Sequence, residues 1–415
     1  MKLLVVSSLW PHGDHSVRAA NIVINEMLSA FAADASIELG LLVTGEAESI
    51  KVGPAEQEGI DHLRSLGVDV LAPLILPPPP PPRPRLSRWL APSLRDFYPQ
   101  SAHGDLIEKA VMGWNPDVVL VPWSEWLTHT CASMPVRKFA YYGNPDPKGA
   151  RIRADLRYRN DEIGPLGRIM ERARADVLEK LHLATMRSYE WLGNVADNDA
   201  KYYASNGHPN AFYIQNMWVP SAEGKATIQA ADRPVKIVGS IGKVNGTANT
   251  LGLEYLGREV LPALKREFAN QPFEVHIYGA GAPHLISKAA LSHYPEVIWR
   301  GFVDDIDAEM RSSDVFLCVN NATEYKVGHT RYLHAWSLGV PVVAHVDAAL
   351  SMPEIRHGQN SVLGKSAEEI ATHIRALVDD PHLRDRIASG GRQTFCDVFL
   401  ARHVVKKIVQ RLSGS

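Results

Sequence analysis

Apolar positions follow two alternating rhythms along the chain. Short unbroken runs, beginning with Leu3-Leu4-Val5-Val6, read as strands covered on both faces, since a strand between two helix layers has no polar side to show. Between these runs apolar residues return every three or four positions, the spacing of one helix face. In the first half this predicts strands at 3–6, 37–43, 68–72, 118–121 and 138–142, with helices at 19–31, 105–113 and 163–183. In the second half strands at 235–238, 273–278, 297–299, 315–319 and 340–344 alternate with helices at 251–268, 305–312, 330–338 and 367–377. Strand and helix in alternation predict an α/β fold with two doubly wound, Rossmann-like parallel sheets. Such sheets bind ligands at the carboxyl ends of their strands, so the site is expected in a central cleft between the two domains.

Residues 219–234 are small and polar with a proline near each end, the composition of an exposed linker. They divide the chain into domains 1–218 and 235–392, and a helical period continues from 393 to 412. One segment breaks the pattern. Residues 77–82 are six consecutive prolines, expected to form a polyproline II rod of roughly 19 Å. A stiff surface loop is the plainer reading; a ligand for an aromatic groove or a wall of the acceptor cleft are the alternatives.

Composition narrows the class. Of 415 residues 45% are hydrophobic and 22% charged, so wholesale disorder and a coiled coil are excluded. Lys plus Arg total 44 against 46 Asp plus Glu, a balance that argues against nucleic acid as a partner. The three cysteines, Cys131, Cys318 and Cys396, lie far apart without metal spacing, so no disulfide framework or zinc site is expected and a cytoplasmic setting is. The opening apolar run is too short for a secretory leader, and no stretch of about 18 apolar residues is present to span a bilayer.

The densest chemistry lies between Glu324 and Ala344. It reads as a loop ending near Gly328, a helix led by Thr330, a stop at Gly339 and a strand opened by Pro341. A helix start facing a crevice favours an anion, and Arg331 in its first turn adds a bidentate phosphate donor.

This stretch resembles the retaining glycosyltransferases of the GT-B fold, in particular family 4, whose second domain carries a Glu followed by an Ala-x-x-x-Gly-x-Pro-Val-Val run. The pieces Val238-Gly239-Ser240-Ile241-Gly242-Lys243, Ile277-Tyr278-Gly279-Ala280-Gly281, Trp299 to Asp305 and Ser313 to Leu317 resemble that domain's successive strand ends, in the same order. The resemblance implies that Lys243 and Arg331 hold the donor diphosphate and that Val303 lies where the nucleotide base is read. It also implies that the last helix, 393–415, packs back on the first domain.

The departures are equally specific. Where the family has two glutamates eight positions apart, this chain has Lys326 and His334. A neutral imidazole still hydrogen-bonds a ribose hydroxyl and Lys326 is a phosphate candidate, while Glu324 stands two residues from the earlier position. For His334 a packed helix histidine is the plainer reading. In the first domain, Trp10-Pro11-His12-Gly13-Asp14-His15-Ser16 occupies the position of the family's glycine-rich turn. Gly13 there allows backbone approach to phosphate, and His12 or His15 faces the leaving group or the acceptor; turn and cap roles are the competing reading. Glu125 and Asp146 follow two further strand ends and are candidates to orient or deprotonate an acceptor hydroxyl, against simple turn roles. Between residues 137 and 174 basic residues outnumber acidic ones ten to five, either a solvated helix face or, with Arg83, Arg85, Arg88 and Trp89, a collar for an anionic lipid-linked acceptor at a membrane surface.

The expected activity is glycosyl transfer from a nucleotide-sugar donor to a saccharide or lipid-linked saccharide acceptor, in glycan or glycolipid assembly, with retention implied by the resemblance alone. The donor is a substrate; neither a metal nor a separate cofactor is expected. Two other readings stay open: a nucleotide-sugar epimerase or isomerase on the same architecture, and a catalytically inactive nucleotide-sugar-binding protein.

Overall fold

The computed structural model describes residues 1–13, 19–84, 87–88, 91–221, 233–327 and 330–414. The first sheet is built from β1 (Lys2–Ser7), β2 (Glu38–Glu46), β3 (Asp69–Val70), β4 (Leu74–Leu76), β5 (Val118–Pro122), β6 (Arg137–Tyr142), β7 (Trp191–Asn194) and β8 (Ala211–Tyr213). Its order is β3-β2-β1-β5-β6-β7-β8, with β4 beside β2. The second holds β9 (Val235–Ser240), β10 (Phe273–Tyr278), β11 (Val297–Gly301), β12 (Val315–Cys318), β13 (Val342–His345) and β14 (Val362–Gly364), in the order β11-β10-β9-β12-β13-β14. Every pairing in both sheets is parallel. The expectation of two Rossmann-like parallel sheets is borne out. In each, the chain reverses direction of travel across the sheet beside its first strand, which leaves a crevice at the carboxyl ends of β1 and β5 in one and of β9 and β12 in the other.

The chain forms two compact units: Met1–Arg151, Ile169–Met217 and Ala401–Ser415 make the first, Ile152–Arg168 and Trp218–Leu400 the second. The boundaries differ from a single cut at the linker, most of which, 222–232, lies outside the described residues. Residues 152–168 were read as part of the first domain, yet Leu156 packs with Leu251, Tyr325 and Val327 of the second unit, and Arg159 bonds Glu254. The helical period from 393 to 412 belongs to two helices, Pro381–Val398 and Ala401–Leu412, because the chain leaves helical geometry at Phe399. Only the later one joins the first unit, where it lies on the helix Ala19–Ala32.

Both cores follow from the apolar runs. Leu4, Val6, Val119 and Val121 meet Ile107, Val111 and Leu127 in the first; Ile237, Val275, Ile277 and Leu317 meet Leu256, Leu264 and Ile370 in the second. The helix predicted over 251–268 widens in its middle to a π turn, Leu256–Val260, where the Leu261 N–H reaches Leu256 O five residues back. Pro262 explains it: proline has no N–H for the carbonyl four residues earlier and crowds it, and a wider turn relieves both.

One contact fixes the site-bearing edge of the second sheet. Gly279 after β10 has φ +134°, and a Cβ there would fall 1.6 Å from the carbonyl oxygen of Gly242 after β9. Gly279→Ala is expected to cost about 2–4 kcal/mol through strain and overlap, seen by calorimetry as a fall in the unit's Tm of about 5–10 °C. An unchanged Tm would mean that the two loops do not meet as described.

Candidate functional site

The second unit's crevice is organised by one amide. Asn249 lies in the first turn of the helix Thr247–Tyr255, which follows the loop after β9. Its Nδ2 donates to Lys243 O at 2.8 Å and its Oδ1 accepts from Arg331 Nη1 and, at 3.0 Å, from Asn320 Nδ2. Asn320 follows β12 and also donates to Ala248 O at 2.9 Å. The loops after β9 and β12 and the helix Thr330–Ser337 are thus tied together where the strand order reverses. Burial lowers the Arg331 pKa from its ordinary value, partly opposed by the nearby Cys318. Among the described residues Arg331 has no carboxylate partner, so its charge meets only a neutral amide. Lys243 is exposed on the adjoining loop.

The other residues expected there divide. Val303 is half-buried in the loop after β11, whose last residue, Gly301, accepts from the Gly279 N–H at 2.7 Å. Glu324 is exposed. Lys326, the phosphate candidate, donates to Asp347 Oδ2 at 2.6 Å and to Asn321 O at 2.7 Å, so its ammonium is paired with a carboxylate. His334 is buried, its Nε2 2.6 Å from Asp307 Oδ1 and its ring 5.5 Å from that of Trp218. That is the setting of the packed helix histidine. Gly328 lies outside the described residues.

In the first unit, His12 is 3% exposed with its Nδ1 unpartnered. Its loop is held by Asn21 Nδ2 to Trp10 O at 2.6 Å and Trp10 Nε1 to Ile50 O at 2.8 Å. Gly13 is exposed, and a Cβ on it would only touch Asn25 at 3.8 Å, so nothing there demands glycine. Asp14, His15 and Ser16 lie outside the described residues, as do Arg85 and Trp89. Glu125 opens the helix Glu125–Cys131 after β5, and Asp146 opens Asp146–Arg159 after β6, where its Oδ2 accepts from the Tyr98 hydroxyl. Asn-Pro-Asp-Pro therefore starts a helix rather than a free turn, consistent with proline's tolerance in a first helical turn.

Comparison with known proteins decides the class of the second unit. Residues 235–380 match the family Glycosyl transferases group 1. The second unit carries a glycosyltransferase domain. The expectation of a glycosyltransferase is borne out at that level. Among solved structures, sucrose-phosphate synthase from Thermosynechococcus elongatus is similar at a TM-score of 0.62 and 12% identity, covering 100% of this chain and 99% of its own. Anabaena HepE in complex with UDP and glucose gives 0.60 and 12%, covering 99% of each chain, and a glycosyltransferase from Rickettsia africae 0.59 and 11%, covering 100% and 98%. These likenesses establish the shared GT-B fold. No curated protein sequence matches the chain. Among the described residues no cluster of His, Cys, Asp and Glu is placed to hold a metal ion, and no helix is long and apolar enough to cross a membrane.

Around this glycosyltransferase domain sequence reasoning passed over Asn249, whose signal was the polar opening Asn-Gly-Thr-Ala-Asn of an otherwise apolar helix. In the first unit it passed over a buried chain of side chains. His129 Nε2 lies 3.1 Å from His182 Nδ1, and His182 Nε2 2.6 Å from the Tyr203 hydroxyl. Burial lowers the His129 pKa to about 4 against a weaker upward pull from Asp146, and takes His182 well below its ordinary value.

Both rings therefore fold neutral. An unfolded histidine titrates near 6.5, so below that pH the unfolded chain binds protons that the folded unit refuses. Stability is complete above about 6.5 and declines as pH falls toward 4, by roughly 3 kcal/mol for His129 alone. His129→Phe is expected to flatten the fall of Tm between neutral and mildly acidic pH; slopes equal to those of the unsubstituted protein would refute the assignment.

Proposed function

We propose that the chain transfers a sugar from a nucleotide-diphosphate sugar to an acceptor hydroxyl. The observation that carries this is Arg331: a half-buried guanidinium at the switch point of the second sheet, matched among the described residues by a neutral amide, so that its field is available to an anion. The N-terminal amides of the helix Thr247–Tyr255 and Lys243 lie on the adjoining loop and add to that field. A pyrophosphate fits such a setting. As the glycosidic bond breaks, negative charge grows on the departing diphosphate, and Arg331, Lys243 and the helix amides stabilise it more than they do the bound donor. The donor is a substrate, and the charge on the leaving group is met by the protein's own cations in this mechanism. Retention of configuration follows from the likeness to family 4.

The acceptor side is assigned to the first unit, with a saccharide or lipid-linked saccharide as acceptor in glycan or glycolipid assembly, and a peripheral membrane contact as part of the lipid-linked case. Cys131 and Cys318, buried and not joined in a disulfide, suit a reducing, cytoplasmic setting. HepE was solved with UDP, which makes uridine the first base to test. An epimerase draws weaker support, because the family matched is one of transferases; it would convert a nucleotide sugar with no acceptor added.

Thermal shift with UDP-, GDP-, dTDP- and ADP-sugars is expected to show stabilisation by the uridine series. Calorimetric titration should then find UDP affinity reduced about 10- to 100-fold in Arg331→Ala, the loss of a charged hydrogen bond, and several-fold in Lys243→Ala. No stabilisation by any nucleotide, or equal affinity in Arg331→Ala, would end this assignment.

A further inference from the structure

The first sheet ends at β5 and β6 in a second polar cluster, which the diphosphate chemistry does not use. Trp123 leaves β5 at φ +51°, a left-handed conformation that is costly for a bulky side chain and that marks functional turns. It is followed by Ser124 and Glu125, and Tyr142 closes β6 alongside. Tyr98, whose hydroxyl bonds Asp146, stacks its ring on His129 at 4.8 Å. The His182 ring lies 5.7 Å from that of Tyr142, and Tyr203 6.5 Å from it.

Two polar atoms in this cluster have no protein partner although their side chains are buried. They are His129 Nδ1, on a residue 5% exposed, and the hydroxyl of Tyr142, on a residue 2% exposed. Ser124 Oγ, equally buried, shares that condition. Buried polar atoms without a partner are destabilising, and with Trp123 Nε1 four of them lie on residues that follow β5 or close β6, a grouping that a ligand would complete.

The chemistry of that ligand can be read from the groups. If Tyr203 donates to His182, then His182 donates to His129 and His129 Nδ1 is left as a donor. If the chain runs the other way, His129 Nδ1 is left as an acceptor. A hydroxyl, which both donates and accepts, satisfies either arrangement; a carbonyl or an ammonium satisfies one. Burial, and after it the carboxylates of Glu125 and Asp146, disfavour negative charge at the Tyr142 hydroxyl, a setting less suited to a phosphate than to a neutral hydroxyl.

We propose that His129 Nδ1 and the Tyr142 hydroxyl form an acceptor subsite for the hydroxyl groups of an uncharged saccharide. The proposal rests on the assignment of the acceptor to the first unit and narrows it, away from an acceptor whose phosphate lies against these strands.

The test is saturation-transfer NMR and titration on the full chain, with methyl α-D-glucopyranoside as the probe, glucose 6-phosphate as its charged counterpart and UDP in parallel. The glucoside is expected to bind, glucose 6-phosphate to bind more weakly, and Tyr142→Phe and His129→Phe each to weaken the glucoside about fivefold to tenfold with UDP affinity unchanged. Tyr142→Phe removes a hydroxyl with no protein partner and should fold normally, which guards against a trivial loss. No glucoside binding at tens of millimolar, glucoside affinity unaltered in Tyr142→Phe, or glucose 6-phosphate bound as tightly would each overturn the subsite. Loss of UDP binding alone, with the glucoside still sensitive to Tyr142→Phe, counts against the donor assignment and supports this one.

Discussion

A guanidinium partly removed from water requires a partner, and among the described residues Arg331 finds it in the amide oxygen of Asn249. The choice of amide over carboxylate governs the rest of the second unit. Aspartate at the same place would bond the same group and neutralise it, whereas asparagine holds its geometry and leaves the charge uncancelled. The other end of that amide fastens the Lys243 carbonyl. One side chain therefore sets both the position of the cation and the course of the loop beside it. Lys326, a few residues before Arg331, shows the contrast: joined to Asp347, it contributes to the loop's structure and not to its field.

The two units use the same parallel architecture for opposite electrostatics. In the second, Arg331 at the switch point meets a neutral amide and no carboxylate among the described residues. In the first, the groups behind β5 and β6 are kept uncharged by burial, with imidazoles and phenols bonded to one another and carboxylates at their edge. The proposed transfer of a sugar from an anionic leaving group to a neutral hydroxyl would call for both kinds of surface.

How much of this was legible depends on the length of each signal. The apolar runs of β1, β2 and β12 were plain, since strands buried on both faces carry few polar interruptions, and β9 and β10 stayed visible despite Lys236, Glu274 and His276. The three-residue strands β4, β8 and β14 fall below the length at which a run differs from chance, and β7, with Gly193 and Asn194 in four residues, has little apolar pattern to see. Arg331 and Lys243 were singled out through motif resemblance and helix-start logic. Asn249, His129, His182 and Tyr203 were not, because a polar residue on a buried helix face looks in one dimension like an interruption of the apolar stripe, and only the fold reveals that several such interruptions meet. The placement of residues 152–168 was hidden for the same reason: Leu156 advertises burial without naming the unit against which it is buried.

That neither unit is a contiguous stretch bears on how the protein is made. Synthesis delivers residues in order, and the helix Ala19–Ala32 emerges long before Ala401–Leu412, which lies against it. The first unit's sheet must wait, one flank uncovered, until Ala401–Leu412 has left the ribosome, while the later sheet finds all its parts by Leu400. The usual vectorial sequence, in which the leading domain folds first, is inverted for the closing step, and chaperone demand should fall on the half that is translated earliest.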